Sequence, residues 1–493
     1  MRVVLVSTYE LGHQPLHLAA PAAALLDAGH EVRCVDLSVD VLDDTTLTWA
    51  EALACSVPMH TAMRMARSVC RGVRVVHPDL PICLYGLYAV LDGAEGTPPV
   101  ADIAVAGEYA ADLVSWIDAG APRVPRAGTL GGPLGERVAV ALRRRSGIPP
   151  RPARHLLPPL ERYARLVLHG EERLVGYVEA SRGCAHRCRH CPVPVVYDGR
   201  TRVEAEEAVV ADVAQLVEAG ARHITFGDPD FCNGPHHARR VLAAVHGAFP
   251  SLTFDVTVKV EHVLAHRHLW PEFAQAGVVF VVSAFESASD RVLGILDKGH
   301  TAADELGAVA VLRASGIEPR PSLLPFTPWT EAKDMVDLLD LLAKADLVGN
   351  VDPVQYAIRL LVPPGSLLLA SGALATSLGP YDEERLGWSW QAPDRRLDTL
   401  ADELQALADR AGSERWAAAA TYEQVVAATG RVLGARPRSP GRTRTDPRLR
   451  SAYDPEGRPR LTEPWFCCAE PTDRQFAATE VAAPTPDTRC LVP

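Results

Sequence analysis

The sequence predicts an α/β protein: a doubly wound, Rossmann-like parallel sheet, then a partial (β/α)6 barrel of the TIM type, then a helical segment and an irregular tail. Three observations predict it. Short apolar, β-branched runs alternate with helical runs along residues 1–362. A proline-rich stretch at 147–159, "GIPPRPARHLLPP", divides the alternation in two. The loop "SRGCAHRCRHCPVP" at 181–194 sets Cys184, Cys188 and Cys191 directly after a strand, and strand ends are where parallel α/β folds carry their chemistry.

In the first unit the predicted strands are "RVVLVS", "EVRCVDL", "EALACSV", "LPICLYG" and "ADIAVAG", with helical stretches between them such as "PLHLAAPAAALLDAGH". Short apolar strands with helical crossovers are buried on both faces, which means a parallel sheet of about five strands. The second unit offers "RLVGYVEA", "HITFGD", "LTFDVTV", "VVFVVSA", "IEPRPSLLP" and "PVQYAIRLL". Six strand–helix units point to a partial barrel, with an open doubly wound sheet as the competing reading. The expected organisation is a first domain at 1–145, a linker at 146–163, a barrel at 164–370, a helical region at 371–434, and a flexible connector with a Cys-Cys tail at 435–493.

The 493 residues carry a formal charge of −11, with 47% hydrophobic and 23% charged residues. This is a soluble globular balance, and the acidic charge does not favour nucleic acid or a membrane as partner. No apolar run long enough for a membrane span is present, and the N-terminus reads as a strand rather than a leader, so the expected location is the cytoplasm. The 11 cysteines are unevenly used. Cys34, Cys55, Cys70 and Cys83 lie in apolar settings and read as core residues, whereas the 184–191 trio and the adjacent Cys467 and Cys468 read as metal or redox chemistry.

Thiolates bind iron–sulfur clusters and zinc. Three in one loop, with no fourth nearby, leave one iron of a 4Fe-4S cluster open to a chelating substrate. A zinc site completed by His186 or His190 and an electron-transfer site completed by a distant residue are the alternatives. Polar residues also mark the later strand ends: Asp228 and Asp230 in "GDPD", Lys259 and Glu261 after the third strand, and Ser283 and Glu286 on the fourth. Arg320 lies on the fifth strand, and Gln355 and Arg359 on the sixth. "KGHT" at 298–301 reads as a helix start with Thr301 as cap and no catalytic part.

The C-x3-C-x2-C spacing after the first strand of a barrel resembles the signature of radical S-adenosylmethionine (SAM) enzymes, over roughly residues 170–362. That resemblance implies that Cys184, Cys188 and Cys191 each hold one iron, that SAM chelates the fourth, and that reductive cleavage gives a 5′-deoxyadenosyl radical. It makes "GDPD" a variant of a Gly-Gly-Glu-like stretch meeting the cofactor's amino group. Glu286 becomes a candidate catalytic residue; Asp228, Asp230, Lys259, Glu261, Ser283, Arg320, Gln355 and Arg359 become candidate cofactor contacts. The residue before the third cysteine, usually aromatic, is His190 here.

The first 145 residues resemble the cobalamin-binding domain that precedes many such barrels, with Ser56, Gly86 and Gly107 where the corrin and its tail would approach. The Asp-x-His-x-x-Gly motif is absent; His13 and His17 are mis-spaced for it. "WFCCAEP" and "STYELGHQPLHLAAPAA" resemble a group of radical SAM proteins named for a Cys-Cys-Ala-Glu-Pro tail, some with selenocysteine at the first position. This adds Cys467 and Cys468 as candidate catalytic residues. The expected cofactors are a 4Fe-4S cluster and SAM, with cobalamin left open. The expected partners are a small-molecule or peptide substrate and an electron donor such as a flavodoxin or ferredoxin. The favoured reaction is radical methylation or a related C–H functionalisation. The alternatives are sulfur insertion or metalloid chemistry at the tail cysteines, and a sensor without catalysis.

Overall fold

A computed structural model describes residues 1–123, 150–435, 446–463, 469–477 and 479. These fall into two compact units: Met1–Glu10 with Pro15–Pro158 and Glu470–Pro493, and Leu11–Gln14 with Pro159–Ala469.

The first unit is a five-stranded parallel sheet in the order β2-β1-β3-β4-β5. Its strands are β1 (Arg2–Ser7), β2 (Glu31–Asp36), β3 (Ala52–Ser56), β4 (Ile82–Tyr85) and β5 (Ile103–Val105). Val3–Val6 and Ala52–Cys55 are fully buried, as continuous apolar strands covered on both faces should be. The helices α1 (Leu16–Asp27), α2 (Asp44–Trp49), α3 (His60–Val76) and α4 (Ala110–Asp118) supply the crossovers. The order reverses between β1 and β3, which opens a crevice at their C-terminal ends. There Ser7 and Ser56 are paired in register.

The expected linker departs from a free spacer over its described part. Ala153 and Leu157 join the core of this unit, and the Ala153 amide donates to the Ala19 carbonyl at 2.9 Å. Two apolar residues four apart give this proline-rich segment something to bury.

The second unit is a seven-stranded sheet in the order β13-β12-β11-β10-β7-β6-β16. It contains β6 (Arg165–Leu168), β7 (Glu171–Val178), β10 (His223–Phe226), β11 (Thr253–Thr257), β12 (Val278–Glu286), β13 (Glu318–Leu323) and β16 (Arg460–Leu461). Between β7 and β10 lies a small hairpin, β8 (Ser181–Gly183) with β9 (Thr201–Val203), and after the barrel another, β14 (Leu378–Asp382) with β15 (Gly387–Trp390). The five strands β7, β10, β11, β12 and β13 pair in parallel, with helices between them, and form the partial barrel.

The sixth predicted strand is reduced to one parallel bridge, Phe326 with Arg359, and residues Pro353–Tyr356 form a 3-10 turn instead. Pro353 has no amide to donate to a ladder. The region expected to be helical from 371 begins with the β14–β15 hairpin, pinned by Tyr381 against Trp388 at 5.2 Å. The helices Arg395–Ser413 and Ala418–Leu433 follow.

The stretch read as a connector is packed where it is described. β16 pairs with β6, and Arg458 is 2% exposed, held by Asp346 at 2.8 Å and the Asn350 side chain at 2.6 Å. Its charge made it look solvated; its guanidinium is instead a buried tie. Among the described residues no helix is long and apolar enough to cross a membrane.

Candidate active site

The cysteine loop leaves the end of β7 and is bracketed by the β8–β9 hairpin, in which Gly183 lies opposite Thr201. Gly183 has φ +75°, and a Cβ there would lie 2.3 Å from the Arg200 carbonyl oxygen, so only glycine fits. Cys184 and Cys188 are buried and Cys191 is half-buried, and none of the three is in a disulfide. The Asn233 side-chain oxygen receives the Ala185 amide at 3.1 Å and the Cys184 thiol at 3.6 Å. Burial pushes the Cys184 thiol up. Three soft ligands in one shielded loop suit an iron–sulfur cluster, whose iron would hold them as thiolates.

Asp228 follows β10 and is buried. It accepts the Ala180 amide at 2.8 Å and the Ser181 hydroxyl, tying the start of the loop to the next strand. Burial raises its carboxyl to about 7. The preceding Gly227 is required because a Cβ there would overlap the Tyr177 ring at about 2 Å. Asp230 caps the turn Phe231–Asn233 by accepting the Cys232 amide at 2.9 Å. The same carboxylate lies 2.9 Å from His262 Nδ1. His262 Nε2 is 3.1 Å from His186 Nε2, within the cysteine loop. His186 Nδ1 is 3.8 Å from Glu261, and Glu261 accepts Lys259 Nζ at 3.2 Å. Thus Asp230, Lys259 and Glu261 come together beside the loop, joined by two histidines.

Glu286 ends β12 in a left-handed conformation, φ +68°, where the β12–β13 register shifts. A non-glycine residue held there is strained. Its carboxylate lies 3.0 Å from Lys298 Nζ and 3.3 Å from His190 Nε2. Burial alone would raise this carboxyl; the Lys298 ammonium and His190 outweigh it and hold it well below the usual carboxylate range. Both loop histidines therefore face carboxylates, His186 that of Glu261 just past β11 and His190 that of Glu286 at the end of β12.

Four predicted contacts are engaged elsewhere. The Ser283 hydroxyl donates to the Val258 carbonyl at 2.7 Å. Arg320 pairs with Asp352 at 2.7 Å and donates to the Pro459 carbonyl. Gln355 accepts the Leu323 amide at 2.8 Å. Arg359 pairs with Asp398 at 2.9 Å and stacks on Trp390. The barrel's own buried polar groups consume them. His262 and Lys298 went unrecognised as members of the cluster, the latter because "KGHT" reads fully as a helix start. Thr301 does cap that helix, in a capping box with Asp304. Cys467 and Cys468 lie outside the described residues.

In the first unit the hydroxyls of Ser7 and Ser56 are buried with no hydrogen-bond partner among the described residues. Nearby in the fold, Gly86 has φ +116°, and a Cβ there would press on the Val57 backbone at 3.1 Å; Gly107 has φ +70°. Two orphaned hydroxyls at a sheet's switch crevice fit the polar tail of a nucleotide-like cofactor. Ser7 was not anticipated; it stands opposite Ser56 in the sheet register.

Residues 178–342 match the Radical SAM superfamily. Part of the chain is similar to tRNA-2-methylthio-N(6)-dimethylallyladenosine synthase of Chlorobium chlorochromatii (strain CaD3), 29% identical over 148 residues, 28% of this chain and 32% of that protein. The same enzyme of Aliivibrio fischeri (strain MJ11) is 25% identical over 205 residues, 38% and 42%. The chain spans less than half the length of these curated relatives. Among solved structures, it is similar to the radical SAM methyltransferase TsrM from Kitasatospora setae, TM-score 0.57 and 19% identity over 80% of both chains. It is also similar to the cobalamin-dependent SAM radical enzyme OxsB, TM-score 0.60 and 14% identity, over 83% of this chain and 67% of that one.

The fold and the three-thiol loop fit a protein that would hold a 4Fe-4S cluster on these cysteines and bind SAM at its open iron. Residues 178–342 are a radical SAM domain. Over most of its length the chain shares its fold with the radical SAM methyltransferase TsrM and the cobalamin-dependent SAM radical enzyme OxsB.

Proposed function

We propose that this enzyme directs radical SAM chemistry to a C–H bond of a small-molecule or peptide substrate, with cobalamin-dependent methylation as the outcome. Cys184, Cys188 and Cys191 would hold the cluster, which would supply the one-electron reduction of SAM to methionine and a 5′-deoxyadenosyl radical, the electron coming from a donor such as a flavodoxin or ferredoxin. The observation that carries the reading is the shielded three-thiol loop at the end of β7 with charged side chains from the next three strand ends turned to it.

In this reading Asp228 positions the loop through Ala180 and Ser181. Asp230, Lys259 and Glu261 offer both signs of charge, as the amino and carboxylate groups of SAM require. Glu286 orients SAM or substrate from the β12 side. Ser7, Ser56, Gly86 and Gly107 would receive the corrin's tail and let it approach backbone. Cys467 and Cys468 assist by redox or by holding substrate, a role that rests on the tail resemblance.

Methylthiolation, the reaction named in the curated relatives, is the lesser reading because the first unit offers no second metal loop among its described residues. Cys55 and Cys70 are buried with sulfurs 4.0 Å apart, the contact with Cys55 and burial raising the Cys70 thiol well above its ordinary value. Burial likewise pushes Cys34 up to about 12. These are core thiols, unsuited to ligation as thiolates.

Anaerobic reconstitution tests the proposal. The wild-type chain should show a 4Fe-4S spectrum, release 5′-deoxyadenosine with reductant, and retain hydroxocobalamin. C184A, C188A or C191A should lose the cluster, and S7A/S56A should weaken corrin retention severalfold without touching the cluster. No cluster in the wild type ends the radical SAM assignment of the loop; a cluster without retained corrin ends the cobalamin part alone.

A further inference from the structure

The cysteine loop is stitched along its middle to the segment that follows helix Asp290–Leu296. The Arg189 amide, between Cys188 and Cys191, donates to the Leu296 carbonyl at 2.9 Å. Its guanidinium reaches the Ile295 carbonyl at 3.1 Å. Two residues further along, Lys298 is 3% exposed. Gly299 then closes against the other flank of the site: a Cβ there would lie 2.6 Å from Glu261 Oε2. The Lys298 loop is thus wedged between the β11 and β12 ends, beside the turn that carries two of the three thiols.

A buried ammonium costs several kcal/mol unless a partner compensates. Among the described residues Lys298 has one hydrogen-bond partner, Glu286, at 3.0 Å. That carboxylate is shared with His190, which sits between the second and third cysteines. As a mere fold element the pair is a poor investment, since an apolar pair of the same volume would serve as well. A cluster held by three thiolates changes this. It gains a negative charge on reduction, and in a buried site a fixed cation nearby stabilises the reduced form, as net charge and hydrogen bonding around a cluster set its potential. Burial pulls the Lys298 ammonium down, but Glu286 and the Cys188 and Cys191 thiols more than offset it, and its affinity for the proton is raised.

We infer that Lys298 is the buried counter-charge of the three-cysteine site, a positioning residue that tunes the potential of the group bound there, with Glu286 moderating its strength. This rests on the cluster reading above. The pair makes an antisymmetric prediction. Removing the cation leaves Glu286 facing the site and disfavours reduction; removing the carboxylate leaves Lys298 unmoderated and favours it.

The test is an EPR-monitored redox titration of the reconstituted full chain without SAM. K298M should lower the reduced-to-oxidised ratio at a fixed potential about tenfold, a downward shift of about 59 mV for one electron. K298R, which keeps the charge, should stay near wild type, and E286Q should shift upward. Where K298M assembles no cluster, the E286Q and K298R potentials decide the matter. Unmoved potentials in a chain with a normal 4Fe-4S signal overturn this inference alone. A wild-type chain without a cluster overturns both it and the reading beneath it.

Discussion

His13 lies in the loop after β1, buried, with its ring 5.0 Å from that of Tyr177. Mis-spaced for a cobalt ligand in sequence, it is here part of the barrel unit's packing. Burial lowers it from 6.5 to about 4, Asp255 opposing and His223 adding to the effect. The folded chain therefore keeps this ring neutral where the unfolded chain protonates it. Its stabilising contribution is full above pH 6.5 and is lost as pH falls from 6.5 towards 4. H13F, which keeps an aromatic ring against Tyr177, should flatten the acid limb of urea-unfolding midpoints across that window. The difference should approach about 1.4 kcal/mol per pH unit. Parallel wild-type and H13F limbs would show that His13 is not held neutral.

At the scale of elements, helix α3 does more than cross between β3 and β4. Its Arg64 pairs with Glu470, which belongs to the "CCAEP" stretch, and lies 5.4 Å over the Phe476 ring. The turn Asp473–Ala477 begins with a reciprocal cap, the Thr472 amide donating to Gln475 Oε1 at 2.8 Å and the Gln475 amide to Thr472 Oγ1 at 3.2 Å. One arginine thus fastens residues 470–477 to the first unit, through an ion pair and a cation–π contact together. R64A should release the segment: amide exchange at 470–477 should quicken at least tenfold while α3 itself stays protected. Unchanged exchange would mean the tail holds without this latch. The β8–β9 hairpin is the corresponding device in the barrel unit, a short bracket whose Gly183 fixes where the cysteine loop begins.

At the scale of the whole molecule, the barrel unit is completed from far along the chain. β16 adds the last strand beside β6, and Arg458 carries three hydrogen bonds to Asp346 and Asn350 from full burial. R458A leaves Asp346 Oδ1 and the Asn350 oxygen without this donor, while Asp346 Oδ2 keeps the Ser451 amide. Because Asp346 is itself partly exposed, the expected cost is about 3 kcal/mol rather than the upper range for a broken buried pair. Thermal unfolding of R458A should begin at a clearly lower temperature. An unchanged melt would return residues 446–463 to the status of a connector.

The sequence by itself determined the fold class, the three-thiol loop and its place after a strand. Each is encoded locally: strand and helix periodicity in neighbouring residues, ligand spacing within eight positions. It also located Asp228, Asp230, Lys259, Glu261 and Glu286 at strand ends. Only the tertiary structure decided which of the charged residues meet the loop. Ser283, Arg320, Gln355 and Arg359 are polar strand residues too, but the barrel turns them to protein partners. Lys298, His262 and Ser7 are ordinary in sequence and become parts of sites only when strand register and loop closure bring them in. The physical reason is that charge and hydrogen-bonding capacity are properties of a residue, whereas burial and partnership are properties of the packed chain.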